Sequence, residues 1–237
     1  MKKLNIIYIL MIWVCFACGS GSEKDWGSMM TDTRDISGIN QIKLDGAINL
    51  YLSQGDLESM EIKGFEKAME YLKISENGSE LIIDFDPDGS EFFKNKTPEI
   101  HLTIADLQRL VFDGVGNIET KNTFEVGQLM IRGDGVGNVE MEIQAESLDA
   151  QFNMMGNVDL SGSATYAKIS FEGMGNLEAS NLITQTMDLQ SRGMGNVEVH
   201  CEGELSIDAQ GMGSVTYTGN PTVIKEEIKG LGNVSRN

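Results

Sequence analysis

Four residues recur along this chain at a nearly constant interval. The second glycine of the motif falls at 116, 137, 156, 175, 195, 213 and 232, with spacings of 21, 19, 19, 20, 18 and 19 residues. The copies are GVGN, GVGN, MMGN, GMGN, GMGN, GMGS and GLGN. A fixed period of this size marks one supersecondary unit used repeatedly, and such a unit can bury its apolar face only against its neighbours. The chain over 110–237 is therefore constrained to a stack.

The flanking columns say what is stacked. The residue after the Asn or Ser is Ile118, Val139, Val158, Leu177, Val197, Val215 and Val234, always apolar. Two residues further on stand Thr120, Met141, Leu160, Ala179, Val199 and Tyr217. This period-two alternation predicts strands with one buried face. Alternation also precedes the motif, as in LVFD at 110–113, ISFE at 169–172 and LSIDAQ at 205–210. Each copy is then expected to be strand, glycine turn, strand, second turn. No helical period survives, so the expected fold is all-β: a single-stranded β-solenoid of seven coils, parallel and β-helix-like. Its hand is expected to be right, from the rule for parallel crossovers. Coils would lie about 4.8 Å apart and be stabilised mainly by nearest-neighbour contacts.

The motif itself reads as a corner. Gly116, Gly137, Gly156, Gly175, Gly195, Gly213 and Gly232 never vary among the copies, which predicts positive φ or no room for a Cβ. The first glycine is replaced once, by Met154, and so should be less constrained. Asn117, Asn138, Asn157, Asn176, Asn196 and Asn233, with Ser214 among them, are expected to form a side-chain ladder. Val115, Val136, Met155, Met174, Met194, Met212 and Leu231 lie between the glycines and are expected to face the core. Two residues beyond the Asn or Ser come Glu119, Glu140, Asp159, Glu178 and Glu198, then Thr216 and Ser235. Parity places these outside, one per coil. They form either a stripe for cations or a basic partner, or a solvated face that blocks lateral sheet association.

Residues 36–109 are less regular but β-like. DGAIN at 45–49 looks like a degenerate first turn, and Asn77-Gly78 is a hairpin signal. EKAMEYLK at 66–73 is compatible with a short helix or an extended edge. This region is expected to cap one end of the rod. The last motif lies a few residues from Asn237, so the other end is expected to be open to a partner or to another copy.

Composition narrows the function. The formal charge is −18, which disfavours nucleic acid and electrostatic docking on anionic lipid. Lys2 and Lys3, the apolar run LNIIYILMIWVCFA and Ala17 before Cys18 read as an export signal with Cys18 as a lipidation site. Residues 1–18 would be the signal and 19–35 a flexible tether, with 36–109 as cap and 110–237 as repeats. A multiply acylated cysteine anchors stably. The expected location is the cell envelope, at the outer membrane. Cys201 is then the only mature thiol besides Cys18, too few for a disulfide framework or a cysteine metal cluster.

Together, ISGINQIKLDGAINLYLSQGD at the start, PEIHLTIADLQRLVFDGVGN in the middle and the GMGN repeats resemble the head GIN domain. That family carries an auto-transporter adhesin label and is common in exported proteins of Bacteroidota. The resemblance covers roughly 36–237. It implies a secreted or surface β-solenoid lipoprotein and brings no catalytic residues.

Chemistry elsewhere is thin. A calcium-binding β-roll needs a nine-residue period with Asp, whereas the period here is about nineteen with Asn. His101 and His200 are far apart, and each reads as solvated or packed. The acidic column repeats one environment, whereas a glycosidase needs two. No GxSxG, HExxH or phosphate loop is present, and GDGVGN at 133–138 has no following helix. Fourteen methionines raise copper or an adaptable surface, but the column expected to face inward makes four of them core filler. Trp13 and Trp26 both lie outside the repeats, which leans against sugar stacking on the coils. No catalytic residue, metal or cofactor is assigned. The expected function is non-enzymatic binding or structural interaction with a glycan, matrix component, protein or second copy. The alternatives are a β-helix carbohydrate-active enzyme or an assembly module of an envelope complex.

Overall fold

The structure, a computed structural model, describes residues 26–87 and 96–237. It is all-β. One curled 11-stranded sheet carries the fold, and the only helix among the described residues is a single turn, α1 (Glu66–Met69). The strands are β1 (Met29–Arg34), β2 (Gln41–Ala47), β3 (Asn49–Gln54), β4 (Ser59–Phe65), β5 (Leu72–Asn77), β6 (Glu80–Phe85), β7 (Glu99–Ile104), β8 (Arg109–Thr120), β9 (Phe124–Thr218), β10 (Thr222–Gly230) and β11 (Asn233–Arg236).

β9 has 95 residues. Laid straight at about 3.3 Å per residue it would reach roughly 310 Å. It instead winds back on itself: Asn157 Nδ2 donates to Asn138 Oδ1, and Asn176 Nδ2 to Asn157 Oδ1, each 19 residues apart. β8 lies parallel on its start in matching register, with Gly114 beside Gly135, Gly116 beside Gly137 and Asn117 beside Asn138. β10 and β11 lie parallel on its end, with Gly230 beside Gly211 and Val234 beside Val215.

The N-terminal strands extend the stack out of chain order. β2 is parallel to both β6 and β8, and β3 to both β7 and β8. Gly46 falls beside Gly114, so DGAIN does occupy the first corner. Beyond β6 and β7 the direction reverses: β5 pairs antiparallel with β6, and β4 with β7. Asn77-Gly78 makes the β5–β6 hairpin, with Gly78 at φ +63°. EKAMEYLK resolves into both alternatives, α1 followed by the start of β5.

One expectation fails here. The tether expected over 19–35 is packed from Trp26 onward. Trp26 is buried, and β1 pairs antiparallel with β4 along its whole length. The Glu66 and Lys67 amides donate to the Ser28 and Trp26 carbonyls, tying the segment to α1.

The core is a set of columns. Leu110, Ile131, Ala150, Ile169, Leu189 and Ile207 have no exposed surface, and Ile118, Val139, Val158, Leu177, Val197 and Val215 expose 4% or less. Full burial of each Leu, Ile or Val side chain among them contributes about 1.5–3 kcal/mol. Glycine corners supply no side chain to this interior, and larger neighbours fill it. A Cβ on Gly133 would meet the Phe112 ring at 2.2 Å. Phe152 and Phe171 are buried at the same level of their repeats.

Candidate functional site

In the first six copies the strand passes through the motif without a break, which decides what faces out, while the seventh falls between β10 and β11. β8 is continuous from Arg109 to Thr120. Successive side chains of an unbroken strand alternate faces. Ile118 points inward, so Val115, three residues away, must point outward. The expected turn between them, which would have allowed both inside, is absent. The bend comes instead from glycine in extended backbone of the mirror-image hand. Gly137 sits at φ +151° and Gly175 at +144°, a region open only to glycine. A Cβ on either would stand 1.7 Å from the carbonyl oxygen of the glycine one repeat earlier. Both reasons expected for an invariant glycine therefore operate. Where the first position is glycine it is tight as well: Gly135 and Gly173 have φ +132° and +127°, and their Cβ atoms would lie 1.9 and 2.1 Å from a carbonyl, while the third copy carries Met154 there.

The residue between the glycines is consequently not core. Val115, Val136, Met155, Met174, Met194 and Met212 are 39–49% exposed, and Leu231 is 83% exposed. The inward assignment of this column, with its methionines as core filler, is corrected. The seven side chains form an apolar ridge along the outside of the corner.

Beside the ridge runs the amide ladder. Asn49 Oδ1 accepts from the Asn117 amide N and Nδ2 at 3.0 and 3.2 Å. Asn117 Oδ1 accepts from Asn138 Nδ2 at 3.0 Å, and the chain continues through Asn157 and Asn176. The Asn196 amide N donates to Asn176 Oδ1, and Ser214 Oγ to Asn196 Oδ1 at 2.8 Å. Asn233 lies beside Ser214 in β11, and Gly195, Gly213 and Gly232 stack over Gly175, Gly195 and Gly213. The ladder's donors and acceptors are thus largely spent on one another.

Next outward comes the acid column. Glu140, Asp159 and Glu198 are exposed, and Glu119 and Glu178 half-buried. Glu119 is paired with Lys121 at 2.6 Å. Among the described residues no ion pair involves Glu140, Asp159, Glu178 or Glu198. Asp159 has its pKa pushed up, first by burial and then by the neighbouring Glu178 charge. Glu178 in turn accepts from the Ser180 backbone N and Oγ. Toward the N-terminal strands the row continues as Tyr51, His101 and Glu61, which share one register. There basic groups compensate the acids. Lys63 lies 2.6 Å from Glu61 and holds its carboxyl below the usual range. Tyr51 and His101 stack at 4.7 Å, and Lys121 lies 4.4 Å from the Tyr51 ring centroid.

The remaining candidates for chemistry are dispersed. His200 bonds Thr218 Oγ1 and Glu202, and Cys201 is buried. Among the described residues no group of three His, Cys, Asp or Glu side chains converges as metal ligands would. Cys18 lies outside the described residues.

The architecture thus defines an all-β protein with one curled sheet, whose differentiated surface is one long striped face of apolar, amide and acid columns. The chain belongs to the family described as putative auto-transporter adhesin, head GIN domain, whose profile matches residues 39–221. It is similar to a crystal structure of a putative adhesin from Bacteroides fragilis, with TM-score 0.80, 27% identity and coverage of 89% of this chain and 97% of the other. A putative lipid binding protein and a putative adhesin, both from Parabacteroides distasonis, share the fold at TM-scores of 0.66 and 0.65. Their identities are 19% and 20%, with 89% of this chain covered in each case and 97% and 98% of theirs. No curated protein matches the chain. The family and these neighbours are named as adhesins or a lipid-binding protein, not as enzymes, and the family name points to an extracellular or envelope-associated setting.

Proposed function

We propose that this chain is a non-enzymatic, envelope-anchored binding module, built as a parallel β-solenoid of about seven coils and held at the outer membrane by a lipid on Cys18. The in-register stacking of like residues one repeat apart supports the solenoid, and β1, β4 and β5, antiparallel beyond β6 and β7, cap its N-terminal end. The Lys2–Cys18 leader supports the anchor. The observation that carries the function is the striped face. A ridge of seven exposed apolar side chains lies beside four acids that, among the described residues, form no ion pair. Apolar surface rimmed by polar residues marks an interaction site. The net charge of −18 selects a partner that is cationic as well as apolar, such as a basic segment of a matrix protein or an amino-sugar polymer.

The test uses the exported chain against immobilised basic matrix proteins and glycan polymers. Glu140→Gln, Asp159→Asn, Glu178→Gln and Glu198→Gln together should weaken binding at least tenfold and flatten its salt dependence. Unchanged binding would remove the face as the site, and cleavage of any polymer would overturn the non-enzymatic assignment. Cys18→Ser should move the protein from the membrane to the soluble fraction. Retention in the membrane would overturn lipid anchoring at that residue.

A second reading rests on the β10–β11 edge. Among the described residues these strands pair only with β9, and Ile224, Ile228 and Leu231 are 60%, 42% and 83% exposed. An unpaired edge with apolar side chains is a template for another chain, here a second copy in an envelope assembly. Light scattering of the exported chain with and without Ile224→Lys and Ile228→Lys would test it. An unchanged monomer in both would remove this reading.

A further inference from the structure

The ridge is more than apolar. Its four middle positions are Met155, Met174, Met194 and Met212, with no other residue type among them. They occupy consecutive levels. Gly173 stacks on Met154 and Gly175 on Gly156, which sets Met174 on Met155. Gly193 and Gly195 stack on Gly173 and Gly175, and Gly211 and Gly213 on Gly193 and Gly195, which sets Met194 and Met212 above them in turn. All four are 44–49% exposed, whereas Met60, Met141, Met154 and Met187 expose 4% or less. The chain thus uses methionine in two ways, as core filler and as an open thioether ladder.

Apolarity alone does not require the thioether. Levels one, two and seven of the same column use Val115, Val136 and Leu231. An exposed strand position also favours β-branched residues over methionine. What methionine adds is a soft, polarisable sulfur on a flexible stem. Neighbouring positions of an in-register stack lie about 4.8 Å apart. A soft cation held between two sulfurs needs them on opposite sides at a little under that span, and the flexible side chains can close the difference.

The polar side chains flanking the ladder are engaged with their own neighbours. Asn153 donates to Asp134 at 2.8 Å, Glu172 is held by Arg192 at 2.9 Å, and the Gln210 amide donates to Asp208 at 3.0 Å. On the other side Asn157, Asn176, Asn196 and Ser214 are engaged in the amide ladder. The groups that project furthest from the ridge itself are the four thioethers, 44–49% exposed. Thioethers select Cu(I)-like cations, while Ca²⁺ and Mg²⁺ require oxygen. Glu140, Asp159, Glu178 and Glu198 lie too far along the strand to ligate, but their unneutralised charge raises the local concentration of any cation.

We propose that the Met155–Met174–Met194–Met212 ladder is a binding site for a soft monovalent cation, Cu(I) being the biological candidate, held between thioethers of adjacent repeats. The site is independent of the macromolecular partner proposed above, since it needs only sulfur.

The test titrates the exported chain, carrying Cys201→Ala so that its thiol does not compete, with Ag(I) as a redox-silent probe. Methionine methyl groups are followed by NMR with ¹³C-methyl labelling, and anaerobic Cu(I) competition against a chromophoric chelator gives the affinity. The methyl signals of Met155, Met174, Met194 and Met212 should shift at one or two equivalents, while those of Met60, Met141, Met154 and Met187 stay. Replacing all four ladder residues by Leu preserves the apolar ridge and should weaken Cu(I) binding at least tenfold, with excess Ca²⁺ having no effect. Met29→Leu with Met30→Leu, exposed but off the ladder, should leave binding unchanged. Equal Cu(I) affinity in the fourfold Leu variant, or the absence of ladder methyl shifts, would overturn the proposal. Loss of Cu(I) with retained binding to a basic matrix protein would support it and show the two sites to be separable.

Discussion

Replacing Gly175 by Ala tests the corner directly. The new Cβ would stand 1.7 Å from the Gly156 carbonyl oxygen, and real Cβ contacts essentially never fall below 3.0 Å. The two levels must therefore part by at least about 1.3 Å at that point. The obstacle is backbone, so no rotamer change relieves it. Parting of this size takes the flanking ladder hydrogen bonds out of range, at about 1 kcal/mol each. Holding Ala at φ +144° adds about 1–3 kcal/mol of strain. With two bonds lost, the sum is about 3–5 kcal/mol, a large part of the ~5–15 kcal/mol typical of a domain. The matched control is Gly127→Ala, where an added Cβ meets nothing within 4 Å and φ is unremarkable. That change should be neutral or stabilise by about 0.4–1 kcal/mol, by restricting the unfolded chain. Urea unfolding of both variants reads the difference. A Gly175→Ala cost below about 1 kcal/mol, or equal costs in the two variants, would refute the clash as the reason for invariant glycine.

The remaining predictions concern the core and the acid column. Phe152, 1% exposed, should cost about 3–5 kcal/mol on truncation to Ala, seen as a lower urea midpoint with unchanged slope. Asp159 has a raised pKa, so the folded state binds a proton more tightly than the unfolded chain does. Its contribution is fully present below the ordinary value of 3.8 and is lost as pH rises through the raised one. Asp159→Asn should therefore gain stability relative to the parent at pH 7 and lose that advantage as the pH falls toward 3.8, compared by urea midpoints at both ends. A constant difference across the range would place the penalty elsewhere.

Much of the stack is visible in the spacing of the second glycines. Residues one interval apart become neighbours, and the asparagines at 117, 138, 157 and 176 join amide to amide because a parallel in-register stack puts like beside like. The Asn77-Gly78 hairpin is equally local in origin. β1 is not. Its residues, MMTDTR, are mostly exposed and show no inward column, so nothing in the segment distinguishes it from a tether. Its order comes from β4, which holds its backbone, and from the residues just before it, where α1 bonds the Trp26 and Ser28 carbonyls and Trp26 is buried by residues the fold brings together. The acid column was legible as a face because parity from the buried Ile118 column fixes it.

The apolar ridge was misplaced because two apolar columns compete for one interior. Val115 and Ile118 are three residues apart, and in an unbroken strand an odd separation puts them on opposite faces. Treating the motif as a turn hides the conflict, while treating it as bent strand exposes it. The chain carries a signal that decides the matter, MMGN at 154–157, where Met154 and Met155 are adjacent and cannot share a face. Met154 stands where the other copies have glycine and is 4% exposed, while Met155 is 46% exposed. One pair of substitutions separates the alternatives. Met154→Ala should cost about 2–5 kcal/mol, as for a buried methionine whose volume is not refilled. Met155→Ala should stay within about 0.5 kcal/mol, as for an exposed position, while removing one rung of the thioether ladder. The reverse order of costs in urea unfolding would return the ridge to the core, and with it remove both the apolar stripe and the soft-cation site from the surface.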